Sequence, residues 1–83
     1  MRKLTQNEWQ ALRYCTIGMF ECHASLRWGQ AICNSLSFVA QDISNEINNS
    51  EWDCFYSSDV SPLLNLICPD GESDKTFIVR RTT

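Results

Sequence analysis

The sequence predicts a mainly α protein, a small three-helix domain, and three observations carry that prediction. Ile32, Leu36, Val39, Ile43 and Ile47 recur at steps of four, three, four and four, the spacing that lines one side of a helix. Ala40 widens the stripe. Thr5-Gln-Asn-Glu8 has the form of a capping box, in which a Thr hydroxyl and a Glu carboxylate each accept from the other residue's backbone at a helix start. Pro62 follows Ser57, Ser58, Asp59 and Ser61 and precedes Leu63, Leu64, Leu66 and Ile67, as in a short helix with proline in its first turn. These signals place helices at about 6–25, 26–48 and 59–68.

The first helix carries two apolar stripes. Leu12, Cys15, Met19, Cys22 and Leu26 form one; Tyr14, Ile17, Phe20 and Ala24 form a second, displaced from it. Two stripes exceed what packing on one neighbour requires. Either the helix is sandwiched between two others, or Tyr14, Ile17 and Phe20 form a patch for self-association or partner binding. Gly18 in its middle costs about 1 kcal/mol relative to Ala, so it either admits a close neighbour or marks a weak point. Around His23-Ala-Ser25 the phase changes, and Ser25 is a plausible N-cap for the second helix. His23 is the one histidine and has no nucleophile at a set spacing; it reads as a helix-end residue rather than a base.

The second helix brings Gly29 near its start, where another backbone can come close. Asp42 and Glu46 share a face by i,i+4 spacing and repel mildly. Asn45, Asn48, Asn49 and Ser50 end the helix in a turn. Glu51-Trp-Asp-Cys-Phe-Tyr56 follows, with Trp52, Phe55 and Tyr56 expected to fold back as an aromatic lid over the helix pair. After the third helix, Pro69-Asp-Gly71 is a stop and turn. Thr76-Phe-Ile-Val-Arg80 reads as one short strand. It has three fates: pairing with a twin copy, a hairpin with residues near Ile67, or a loose tail.

Size and composition bound what such a chain can do. At 83 residues it is one domain, burying about 60–65% of its unfolded surface. Hydrophobic residues make up 43%, close to an ordinary globular domain. No apolar run approaches the ~20 residues of a membrane span, and Met-Arg-Lys-Leu-Thr-Gln-Asn-Glu lacks the apolar segment of an export signal. The expectation is a cytoplasmic protein. Cys15, Cys22, Cys33, Cys54 and Cys68 are then free thiols behaving as small hydrophobes. Zinc, with His23 as a further ligand, is the sharper alternative, but there is no Cys-x-x-Cys pair. No metal and no cofactor are expected.

Charge is distributed unevenly. From Trp28 to Asp74 there is no Lys or Arg, against eight carboxylates; residues 1–27 are net +2, 28–74 net −8 and 75–83 net +3. An acidic run over more than half the chain argues against direct nucleic-acid binding, which needs clustered cations to neutralise phosphates. A basic protein surface suits it as partner, and an ordinary solvated acidic face is the plain alternative. The phosphate loop, Gly-x-Ser-x-Gly, His-Glu-x-x-His and calcium-loop signatures are missing; Asp53 and Asp59, which bracket the aromatic lid, are the carboxylates open to acid–base work, but without a substrate pocket the chain reads as a non-enzyme.

Arg27-x-Gly29-Gln30-Ala31-x-x-Asn34-x-Leu36, followed by Asp53-Cys-Phe55-Tyr56 and a Pro-containing short helix, resembles a pattern in small uncharacterised proteins of phages and prophages. The likeness spans roughly Arg27 to Ile67. It implies a phage-type context and a helical fold, and no reaction. In that context the expected role is an inhibitor that occupies a basic, nucleic-acid-handling surface of a host defence complex, such as CRISPR or restriction. Asp42, Glu46, Glu51, Asp53 and Asp59 would supply the charge and Trp52 an aromatic anchor. A structural or regulatory homo-oligomer is the other expectation.

Overall fold

A computed structural model describes residues 1–57 and 59–77. Within them the chain forms helices α1 (Gln6–Cys22), α2 (Trp28–Val39), α3 (Gln41–Ile47), α4 (Ser61–Ile67) and α5 (Asp74–Phe77). The protein is mainly α, as the periodicity requires. Its radius of gyration, 11.6 Å, matches the roughly 12 Å of a folded domain this long.

The start of α1 follows directly from its sequence. Thr5 is extended and its Oγ1 accepts the Glu8 N–H at 3.1 Å, while Glu8 Oε1 accepts the Thr5 N–H at 2.9 Å. Both bonds of the capping box are therefore made. The buried face of α1 is Trp9, Leu12, Thr16 and Phe20, which is neither of the two stripes read from apolar spacing. It takes Leu12 from one and Phe20 from the other, and its centre is the polar Thr16. At about 100° per residue, the two stripes are the flanks of one broad face. Cys15, Ile17 and Met19 are accordingly half-buried, while Tyr14 and Cys22 are exposed. Thr16 tolerates burial because its hydroxyl donates to the Leu12 carbonyl at 2.7 Å, the i−4 bond that lets Thr hide inside a helix contact. Ser35 of α2, fully buried, faces it at 3.4 Å.

The single helix expected over 26–48 is two. α2 begins at Trp28, preceded by Arg27 in extended backbone, and Ser25 lies outside it in a turn closed by Leu26 N–H to His23 O. At Ala40 the chain leaves helical geometry (φ −148°, ψ 78°) and re-enters it one residue later. No Gly or Pro marks the break. Ala40 is itself 3% exposed, and Ile32, Leu36, Ile43 and Ile47 on either side are all buried. The turn at Ala40 thus keeps both halves on the same core, and tertiary burial overrides local propensity there.

α3 stops at Asn48-Asn49, with Asn49 at φ +60°, a left-handed conformation that Asn adopts more readily than most residues. α4 carries Pro62 in its first turn and buries Leu63, Leu64 and Ile67. Gly71 closes the Pro69–Glu72 turn at φ +88°. The strand expected at 76–80 begins in helix: Thr76 and Phe77 belong to α5, and 78–80 lie outside the described residues.

Trp9 joins the two ends of this core. It is fully buried, its ring meets Phe77 edge-on at 4.9 Å, and its Nε1–H donates to Glu72 at 3.2 Å. A backbone bond from Leu4 N–H to Ile67 O at 2.8 Å ties the segment ahead of α1 to the end of α4. Aromatic burial here fixes the N-terminal helix against the C-terminal turn.

Candidate protein-binding surface

The residues singled out for partner binding lie on α3 and on the 48–60 segment. Local hydrogen bonds shape that segment. Ser50 Oγ donates to Ile47 O at 2.7 Å and accepts the Trp52 N–H at 3.1 Å. Asp53 accepts the Asn49 N–H with one carboxylate oxygen and the Phe55 N–H with the other, both at 3.1 Å. Asp59 accepts the Ser61 N–H at 3.1 Å, just ahead of α4. These are the side chain-to-backbone bonds that make Asp and Ser turn residues.

The segment is docked on α2. Arg27 Nη1 donates to Tyr56 O at 2.9 Å, and the Gly29 N–H donates to Ser57 O at 3.0 Å. Trp52 and Cys54 pack against the hydrophobic core while partly exposed. Phe55 and Tyr56 meet edge-on at 5.0 Å, with Tyr56 79% exposed. The aromatic lid therefore closes only at Trp52, with Phe55 half in and Tyr56 turned to solvent. Asn49, Ser50, Asp53, Cys54, Phe55, Tyr56 and Ser57 line an open hollow of about 660 Å³.

The five carboxylates differ in what they do. Asp42 is held by Arg2, whose Nε and Nη2 reach its two oxygens at 2.8 and 3.1 Å. The same guanidinium forks onto Glu8 at 2.8 and 2.9 Å. This hydrogen bonding holds Asp42 below its ordinary titration range and brings Glu8 down to about 2. Glu46 and Glu51 are exposed, and their side chains make no hydrogen bond or ion pair among the described residues. Asp53 and Asp59 accept from neutral backbone donors, which orient a carboxylate without cancelling its charge. Asp42 is thus a structural counterion of Arg2, whereas Glu46, Glu51, Asp53 and Asp59 have no cation partner among the described residues.

The self-association trio is split. Tyr14 is 72% exposed and Ile17 half-buried, but Phe20 is buried and meets Trp28 edge-on at 4.7 Å. Phe20 consequently belongs to the α1–α2 contact rather than to an outer patch. His23 is exposed at the end of α1.

Two relationships escaped the sequence reading. Arg2 was visible only as one cation among four in the N-terminal third, and nothing in its spacing announced a bond 40 residues away. The second is the approach of the Cys54 carbonyl to α2 at Gly29, one helical turn before Cys33 on the same face.

Among the described residues, no group of three His, Cys, Asp or Glu side chains is placed to hold a metal ion, and no helix is long and apolar enough to cross a membrane. No family model matches the chain, and comparison with curated proteins and with solved structures finds no similar protein.

Proposed function

We propose that this is a binding protein that presents the carboxylates of its 46–59 segment to a basic surface of a host protein complex. One observation carries the reading. Glu46, Glu51, Asp53 and Asp59 are exposed and make no ion pair among the described residues, in a stretch without a Lys or Arg from residue 28 to 74. A surface of one sign speeds encounter with a surface of the other and disfavours like-charged partners. Trp52, part-exposed among these charges, supplies the apolar anchor that interfaces concentrate near their centre.

The resemblance to small phage proteins supplies the context. The partner is then a nucleic-acid-handling complex of host defence, of the CRISPR or restriction kind, inhibited in the host cytoplasm where these carboxylates stand in for phosphates. Such an inhibitor acts by occupancy and needs no reaction of its own.

The test is a pull-down from host lysate with the intact chain as bait, at low and at high salt, alongside a Glu46→Lys/Glu51→Lys variant. The expected result is a basic, nucleic-acid-handling partner that is lost at high salt and lost with the variant, whose helical circular dichroism stays unchanged. A partner retained equally by the variant and by high salt would remove the reading. Asp42→Lys is a poorer probe, because it also releases Arg2 from its fork.

A further inference from the structure

Cys33 and Cys54 come from separate segments and meet. The Gly29 N–H holds the Ser57 carbonyl at 3.0 Å, and the Cys54 carbonyl occupies the space where a side chain at position 29 would begin. Cys33 follows Gly29 by one turn on the same face of α2, so its side chain reaches the docked segment at Cys54. The two thiols interact across this contact, and both residues are half-buried. That interaction lowers the titration of the Cys33 thiol and raises that of Cys54. One sulfur is thereby suited to attack and its neighbour to resolve.

We infer that Cys33 and Cys54 are a modification site, closing to a reversible intramolecular disulfide when the protein meets a peroxide. In the first step the Cys33 thiolate attacks one peroxide oxygen; the O–O bond breaks, hydroxide leaves and Cys33 becomes a sulfenic acid. In the second step the Cys54 sulfur attacks the Cys33 sulfur. The S–S bond forms, the S–O bond breaks, and the Cys54 proton leaves with the hydroxyl as water. Two thiols lose two electrons and one peroxide becomes two waters. The sulfurs must close to about 2.0 Å, a movement that the 48–60 segment can supply because it is held to α2 by hydrogen bonds rather than by continuous helix. The remaining cysteines sit elsewhere: Cys22 is exposed at the end of α1, Cys15 is half-buried in that helix, and Cys68 donates to Asn65 O. The site stands independently of any partner.

Peptide mapping tests it. The intact chain is treated with hydrogen peroxide, free thiols are alkylated, and the protein is digested with trypsin plus an Asp-specific endoprotease. Trypsin alone leaves Cys33, Cys54 and Cys68 on one peptide, because residues 28–74 contain no Lys or Arg. The second enzyme separates 28–41, holding Cys33, from 53–58, holding Cys54. The expected product is 28–41 joined to 53–58, two hydrogens lighter than the separate thiols, released by dithiothreitol, with Cys15, Cys22 and Cys68 alkylated. Cys33→Ser and Cys54→Ser should each abolish it. Alkylated Cys33 and Cys54 under peroxide that oxidises Cys22, or Cys33 joined mainly to another cysteine, would overturn the assignment. The mapping on the unsubstituted chain decides this even if a serine variant misfolds.

Discussion

Gly29 and Cys54 touch backbone to backbone. A Cβ at position 29 would collide with the Cys54 carbonyl oxygen and lie 2.7 Å from that of Ser57. The obstacle is main chain rather than the end of a flexible side chain, so it cannot simply rotate away. Gly29→Ala should therefore cost about 3 kcal/mol or more, at the upper end of overpacking penalties, and should lift the 48–60 segment from α2. Urea unfolding would measure the loss, and proteolysis within 49–59 should accelerate. A variant as stable as the parent would show that the contact is not tight in solution.

Gly18 gives the opposite case. Among the described residues nothing lies within 4 Å of a Cβ built there, so the close neighbour that the sequence allowed for is not among them. Gly18→Ala should stabilise the protein by about 0.5–1 kcal/mol, through helix propensity and a less flexible unfolded chain. The two glycine variants, compared by the same denaturant titration, should move in opposite directions.

What the sequence revealed and what it hid follow one physical division. Features set within a few residues were legible: the Thr5–Glu8 capping box, Pro62 in the first turn of α4, the Asn48-Asn49 stop, and the burial of Ile32, Leu36, Ile43 and Ile47. Features set by distant contacts were not. The break at Ala40 has no local breaker and exists because both flanking halves bury side chains. Thr16 sits at the centre of a buried face, and its polarity disguised that face as two apolar stripes. Among the binding residues, sequence position alone could not separate Asp42, paired with Arg2, from Glu46 four residues later. Charge counting finds an acidic segment; only the fold says which of its charges are already answered.

Trp9 makes the long-range side of this division testable. It is fully buried and touches Phe77, and its indole donor is satisfied by Glu72. Trp9→Ala should cost about 3–5 kcal/mol, as large aromatic deletions in cores do, enough to unfold most of a marginal domain of this size. Glu72→Ala isolates the polar contribution and should cost about 1 kcal/mol, the usual net worth of one hydrogen bond. Thermal melts of both variants should separate clearly. Equal, small losses would mean that Trp9 does not anchor α5.

The fork of Arg2 onto Glu8 and Asp42 makes stability depend on acid. Hydrogen bonding to Arg2 is the largest cause that brings the Glu8 carboxyl from about 4.5 down to about 2, and it moves Asp42 in the same direction. A carboxyl whose folded value is depressed contributes stability that is fully present above its unfolded value and lost as pH falls through the folded one. The Glu8 contribution should thus be intact at pH 6 and fade between about pH 4.5 and 2. The fork lies at the surface, with the Arg2 side chain 42% exposed, so the effect is small and weakens with added salt. Melting midpoints of the parent and of Arg2→Ala, followed from pH 6 to pH 2.5, should converge as the pH drops, because protonation removes in the parent what the substitution has already removed. A constant gap between the two curves at every pH would show that Arg2 stabilises the fold by packing rather than through these carboxylates.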